Sequence, residues 1–181
     1  MSELTQEVKS RSGRKDQYEA PDYYMIDELL TEEHKLVRSS VREWVKKELS
    51  PVIEEYAQRA EFPKHLLRGL AEIGAFGPTI PAEYGGAGLD YISYGIIMQE
   101  IERGDSGIRS TASVQGSLVM YPIFAYGSEE QKHKYLPRLA SGELMGCFGL
   151  TEPDFGSNPS GMVTNIRDDG DDVILNGSKM W

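Results

Sequence analysis

The sequence predicts an α+β protein: an all-α domain over residues 27–143, then the beginning of a β-domain over residues 144–181. Two observations carry this. From Leu36 to Leu139 apolar residues recur every three or four positions, the spacing of amphipathic helices. After Gly142 the texture changes to short β-rich runs broken by Gly, Asp and Asn. Ahead of both lies a polar, apolar-poor stretch with Lys9, Arg11, Arg14 and Lys15 scattered among Ser, Gln and Glu, which reads as a flexible arm over residues 1–26.

The elements follow in order. From Thr31, the residues Leu36, Val37, Val41, Trp44, Val45 and Leu49 form one apolar stripe, with Glu32 and Glu33 in the first turn and Pro51 past the end. A second helix starts near Pro63, carries Leu66, Leu67, Leu70 and Ile73, and is closed by Gly74 and Gly77. The run Tyr84-Gly85-Gly86-Ala87-Gly88 has neither dinucleotide-binding nor P-loop spacing and follows a helix, so it reads as a turn. Ile92, Ile96, Ile97 and Ile101 mark a third helix that reaches Glu100 and Glu102 before a break at Gly104-Asp105-Ser106-Gly107. A fourth runs from about Arg109 through Val114, Leu118, Ile123 and Phe124, with Pro122 expected to bend it. Ser128 and Gln131 form a capping box for a fifth, which carries Tyr135, Leu136 and Leu139. Then Met145–Leu150 reads as a strand-like apolar entry and Val163–Ile166 alternates. Asp168–Asp172 is a solvated hairpin turn, without the ligand alternation of a calcium loop, and Val173-Ile174-Leu175 is β-rich: the start of a β-meander.

Composition excludes several functions. With 181 residues, 39% of them hydrophobic, the chain can bury a core, and its formal net charge of -10 would repel a nucleic acid rather than steer it in. No apolar run approaches the ~18–20 residues of a membrane span and no secretory signal opens the chain, so the reading is cytoplasmic, or the mitochondrial matrix if the source is eukaryotic, although no transit peptide is evident. The one cysteine, Cys147, excludes an internal disulfide and reads as a small buried residue of a strand. His34, His65 and His133 are scattered without metal-ligand spacing, so no metal site is expected.

The most informative stretch is Cys147-Phe148-Gly149-Leu150-Thr151-Glu152-Pro153-Asp154-Phe155-Gly156-Ser157-Asn158-Pro159-Ser160-Gly161, an apolar entry opening into a Gly/Ser-rich turn that offers amides and hydroxyls to an anionic or heteroaromatic ligand. Together with Phe76–Gly86, Tyr126–Lys132, Lys134–Pro137 and Leu175–Trp181, it resembles the flavin-dependent acyl-CoA dehydrogenases over roughly Asp27 to Trp181. Within that family, the segments Glu102–Ser110 and Ser113–Met120 look most like glutaryl-CoA dehydrogenase.

The resemblance implies a β-barrel-like middle domain, FAD as cofactor, an acyl-CoA thioester as substrate, an electron-transferring flavoprotein as partner and a homotetramer. It implies flavin contacts at Phe148, Gly149, Leu150, Thr151, Gly156, Ser157 and Trp181. Substrate contacts are implied at Glu102, Arg109, Ser110, Val114 and Ser157. No residue of this chain is assigned as catalytic, because the family's base is a glutamate of a C-terminal domain, and the 181 residues alone are expected to be inactive. Glu152 is read as a structural member of the turn. Phe155 stands where the family usually has a small residue, and Asn158 where it usually has Asp.

Arg109 discriminates among acyl groups on physical grounds: the free carboxylate of a dicarboxylyl thioester is costly to bury without a guanidinium partner. The alternative for Arg109 is a cap or a pair with Glu102 or Asp105. For the whole, the expected reaction is oxidative decarboxylation of glutaryl-CoA to crotonyl-CoA and CO2. The alternatives are another short-chain acyl-CoA dehydrogenase, a glutaryl-CoA dehydrogenase that does not decarboxylate, and a non-catalytic flavin- or acyl-CoA-binding fragment.

Overall fold

The computed structural model describes residues 22–181, and most of the expected arm lies outside them. Where the arm was expected to end, the Asp22 carboxylate accepts the amides of Ile26 and Asp27 at 3.0 and 2.9 Å, starting a 3-10 turn at Ile26–Leu29. Asp27 then pairs through both oxygens with Arg38. The chain divides into two compact units, one ending at Met145 and the other comprising Gly146–Trp181.

The first unit is helical. Helix α1, Glu32–Trp44, opens with a capping box in which the third helical residue is a histidine: the Thr31 hydroxyl accepts the His34 amide at 3.2 Å, and His34 Nδ1 accepts the Thr31 amide at 3.3 Å. It runs on as a π-helical stretch, Val45–Leu49, to the end the sequence marks with Pro51. A short helix, α2 (Ile53–Gln58), was not expected; it has no buried residue and so shows no apolar stripe. Helix α3, Leu66–Glu72, buries Leu66 and Leu70. Helix α4, Tyr91–Gly104, is capped by Asp90, whose carboxylate accepts the Ser93 amide at 2.8 Å.

Only one extended residue, Asp105, separates α4 from α5, Ser106–Ser113, so the fourth expected helix starts three residues before Arg109. Asp105 serves both helices: its amide closes α4 on the Ile101 carbonyl, and its carboxylate accepts the Ile108 amide at 2.8 Å. The expected interruption near Pro122 takes the form of a π-helical stretch, Val114–Met120, followed by α6, Tyr121–Tyr126, with Pro122 in its first turn. Helix α7, Glu129–Ala140, starts at the expected box of Ser128 and Gln131.

Phe76, Leu49, Leu70, Ile80, Ile97, Ile101, Ile108, Met120 and Leu136 are the largest buried apolar side chains of this unit. A bidentate pair crosses from α1 to α4, Arg42 donating to the two oxygens of the buried Glu100 at 2.9 and 2.6 Å. Fully shielding that carboxylate without Arg42 would be far costlier than the pair itself.

The second unit departs further from expectation. Its one sheet among the described residues is the hairpin of β1, Asn165–Asp169, and β2, Asp172–Asn176, in register from Asn165 opposite Asn176 to Asp169 opposite Asp172. The acidic turn is there, tighter than read: Gly170 (φ 70°) and Asp171 alone connect the strands. Met145–Leu150 is not a strand, and Cys147 is exposed rather than buried. Apolar character predicts a strand only where a neighbouring backbone supplies ladder bonds, and none does so here among the described residues. The one buried residue of this unit is Glu152.

Candidate functional site

In the helical unit the structure brings Glu102, at the end of α4, against Arg109, in the first turns of α5. Arg109 Nε donates to Glu102 Oε2 at 2.5 Å and Nη1 donates to Ser113 Oγ at 3.2 Å. Ser106 Oγ donates to the other Glu102 oxygen at 2.5 Å. The hydrogen bond from Ser106, and then that from Arg109, holds the Glu102 carboxyl below its ordinary range. The pairing left open for Arg109 is therefore made, with Glu102 and not with Asp105. It does not exhaust the guanidinium: Nη2 carries no hydrogen bond among the described residues, and about a third of the side chain is exposed.

Ser110 lies beside this cluster, its carbonyl accepting the Ser113 hydroxyl at 3.1 Å, and Val114 is half-buried at the start of the π-helical stretch. Ser106 and Ser113 were not singled out from the sequence, although a hydroxyl four residues after an arginine on a helix is a legible neighbour. One turn further, Ser117 donates to the Ser113 carbonyl at 2.5 Å. It also lines a recess of about 310 Å³ with Thr79, Ile80, Tyr91, Tyr94 and Tyr121. None of the residues assigned from the sequence to substrate or flavin contact lines that recess.

In the second unit, Phe148, Gly149 and Leu150 are exposed, and their amides carry no hydrogen bond among the described residues. Thr151 follows with its side chain half-exposed, and the Trp181 ring is fully exposed. Free backbone amides beside a hydroxyl and an aromatic face suit the edge and face of a flavin ring system, so this donor set could hold one. Glu152 and Phe155 exchange backbone hydrogen bonds at 3.2 and 3.1 Å, closing the turn that presents Gly156 and Ser157 to solvent. The unusual Phe155 is accommodated by a glycine: a Cβ on Gly161 would lie 2.4 Å from its ring. Ser157 belongs to this unit, whereas Glu102, Arg109, Ser110 and Val114 belong to the helical one.

Among the described residues no group of His, Cys, Asp and Glu could hold a metal ion, and no helix is long and apolar enough to cross a membrane.

A capped helical domain followed by this turn and hairpin defines a class, and comparison with known proteins names it. Residues 31–143 match the family described as acyl-CoA dehydrogenase, N-terminal domain. The chain belongs to the acyl-CoA dehydrogenase family.

It is similar to a glutaryl-CoA dehydrogenase of Mycobacterium smegmatis solved in complex with FADH2, with 49% identity and a TM-score of 0.84, over 87% of this chain and 41% of that one. It is 41% identical to a probable acyl-CoA dehydrogenase of Bacillus subtilis, over 84% of this chain and 40% of the relative. It is 38% identical to the mitochondrial short-chain specific acyl-CoA dehydrogenase of Bos taurus, over 84% of this chain and 37% of the relative. The chain thus spans about 40% of the length of the relatives it matches.

Proposed function

We propose that these residues form the acyl-recognising and flavin-contacting part of an FAD-dependent dehydrogenase that oxidises and decarboxylates glutaryl-CoA to crotonyl-CoA and CO2. The observation that carries this reading is Arg109: a guanidinium fixed by Glu102 and Ser113 with Nη2 left to meet a second carboxylate. Glu102 and Ser113 pre-orient the fork, so less side-chain entropy is lost when a diacid arrives. Phe148 to Thr151 would hold the ring edge of FAD, Trp181 would lie against it, and Gly156 and Ser157 would meet the pyrophosphate or the thioester side of the ligand. Bound FAD would accept the β hydride. The base that takes the α proton is assigned to a part of the protein outside these 181 residues. The electron-transferring flavoprotein as acceptor and the homotetramer belong to the same proposal.

One observation favours a second reading, a dehydrogenase for an uncharged short acyl-CoA. Glu102 already compensates Arg109, so the guanidinium is no bare cation demanding an anionic substrate. Turnover of glutaryl-CoA against butyryl-CoA by the full-length protein, with CO2 trapped from carboxyl-labelled substrate, decides between them. Preference for glutaryl-CoA with one CO2 per turnover supports the proposal. Preference for butyryl-CoA replaces it with the second reading, and glutaryl-CoA oxidation without CO2 removes the decarboxylation.

A further inference from the structure

The second unit is organised around a carboxylate instead of an apolar cluster, and that carboxylate ties together the segments assigned above to flavin contact. Glu152 Oε2 accepts the Val163 amide at 2.8 Å, and Oε1 accepts the Thr164 amide at 3.1 Å and Lys179 Nζ at 3.0 Å. Lys179 Nζ also donates to the Leu150 carbonyl at 2.9 Å and to Met162 Sδ at 3.4 Å. Next to it, the Met180 amide donates to the Thr151 carbonyl at 2.8 Å. Leu150 and Thr151 are thereby stitched to Lys179 and Met180, and Trp181 follows directly.

Three features make this more than a surface ion pair. Glu152 is buried and the Lys179 side chain about two-thirds so, which shields both from the screening that makes exposed pairs weak. The carboxylate receives two amides and an ammonium, the donor set that compensates a buried charge. The unit buries no apolar residue that could set the register of its segments by packing, so directional bonds must set it. The Thr164 and Val163 amides, then Lys179, hold the Glu152 carboxyl down at about 2, so it stays ionised across the neutral range.

We propose that the Glu152–Lys179 pair is a positioning device for the cofactor, holding Phe148–Thr151 and Trp181 together as one flavin-contacting ledge. The proposal rests on the reading that these residues meet FAD. It adds two residues that touch no cofactor atom in that reading and act only through the backbone they hold.

The test strips FAD from the full-length protein and measures reconstitution by the oxidised-flavin band near about 450 nm, for the wild type, Lys179→Met, Lys179→Gln and Lys179→Arg. Folding is followed in parallel by far-ultraviolet circular dichroism and thermal unfolding. Groups that orient metal ligands cost about 10- to 100-fold in affinity when removed, and the same scale is taken for a residue that orients a flavin-contacting backbone. Lys179→Met is therefore expected to raise the Kd for FAD by about tenfold or more and to alter the shape of the bound band. Lys179→Arg, which keeps charge and donors, should stay within about threefold of the wild type. Lys179→Gln, which keeps a donor for the Leu150 carbonyl without the charge, serves if Lys179→Met does not fold, and it should fall between the two. Unchanged Kd and spectrum in a folded Lys179→Met or Lys179→Gln, even with lowered thermal stability, overturns the proposal by making the pair structural only. A wild type that binds no FAD overturns the flavin reading itself and this proposal with it.

Discussion

A guanidinium that meets a carboxylate in the free protein changes what its substitution should do. Arg109 gives one nitrogen to Glu102 and another to Ser113, so Arg109→Lys keeps the charge and loses the planar fork that lets one cation serve both partners and leave a nitrogen for the proposed substrate carboxylate. A hydrogen bond to a charged group contributes about 1.5–3 kcal/mol. Under the proposed assignment of glutaryl-CoA as substrate, Arg109→Lys and Arg109→Gln in the full-length protein are therefore expected to lower kcat/KM for glutaryl-CoA by about 10- to 100-fold, while butyryl-CoA, with nothing to offer the fork, changes by less than about threefold. Steady-state kinetics on the two substrates checks this, and equal losses on both would place Arg109 outside recognition. At the other end of α4, Asp90 accepts the Ser93 amide and pairs with His34 Nε2 at 2.9 Å, and its carboxyl is held at about 2, chiefly by the Ser93 amide and then by His34. Its folded value is depressed, so its ionised form stabilises the fold fully above the ordinary carboxylate value of 3.8, and that contribution fades as pH falls toward 2. Asn caps as Asp does but cannot ionise. The difference in thermal stability between the wild type and Asp90→Asn should be constant above about pH 4 and close between about pH 4 and 2. A difference independent of pH would remove the charge from the account.

Helices here are set by their ends and by where they touch. The chain from Ser106 to Tyr126 changes its winding at Val114–Met120, and there Gln115 turns fully inward to donate to the carbonyls of Leu139 and Leu144 at 2.9 and 2.8 Å. Its neighbour Gly116 packs so closely that a Cβ would lie 2.8 Å from the Phe76 carbonyl oxygen, a backbone atom that cannot step aside cheaply. Gly95, in the middle of α4, has nothing within 4 Å of such a Cβ. The two glycines therefore predict opposite signs. Gly95→Ala should stabilise by about 0.5–1 kcal/mol through helix propensity, and Gly116→Ala should destabilise by about 1–3 kcal/mol through overpacking. Urea unfolding of each variant measures both, and a Gly116→Ala as stable as the wild type would show that the helix can move off the Phe76 loop. The same contrast explains what pattern alone could not show. An apolar stripe announces that a segment from 106 to 126 is helical, but the change in winding is a response to Gly116, Gln115 and Pro122 fitting against other segments.

On the scale of the molecule, the two units are stabilised by different physics. The helical unit buries a continuous apolar cluster, whereas the Gly146–Trp181 unit buries Glu152 and leaves Ile166, Val173 and Leu175 of its hairpin exposed. Amide hydrogen exchange should find α4 around Ile97 and Ile101 among the best protected residues and the hairpin amides exchanging fast, because protection follows buried apolar contact. Equal protection in β1 and α4 would mean that the hairpin is covered in solution. The sequence by itself determined the helical class, the cap at Ser128, the Asp-Gly hairpin turn and the acyl-CoA dehydrogenase likeness, since each is written in residues three or four apart or in one contiguous run. Only the tertiary structure decided the rest: that Arg109 meets Glu102 and Ser113, that His34 rather than an acid completes a capping box and reaches Asp90, and that Lys179 closes on Glu152 across 27 positions. The reason is physical. Periodicity reports which face of a segment avoids water, a property of neighbours in the chain, but a charge or hydroxyl takes its partner from whatever the fold brings within about 3 Å, and that is fixed only when the apolar faces have packed.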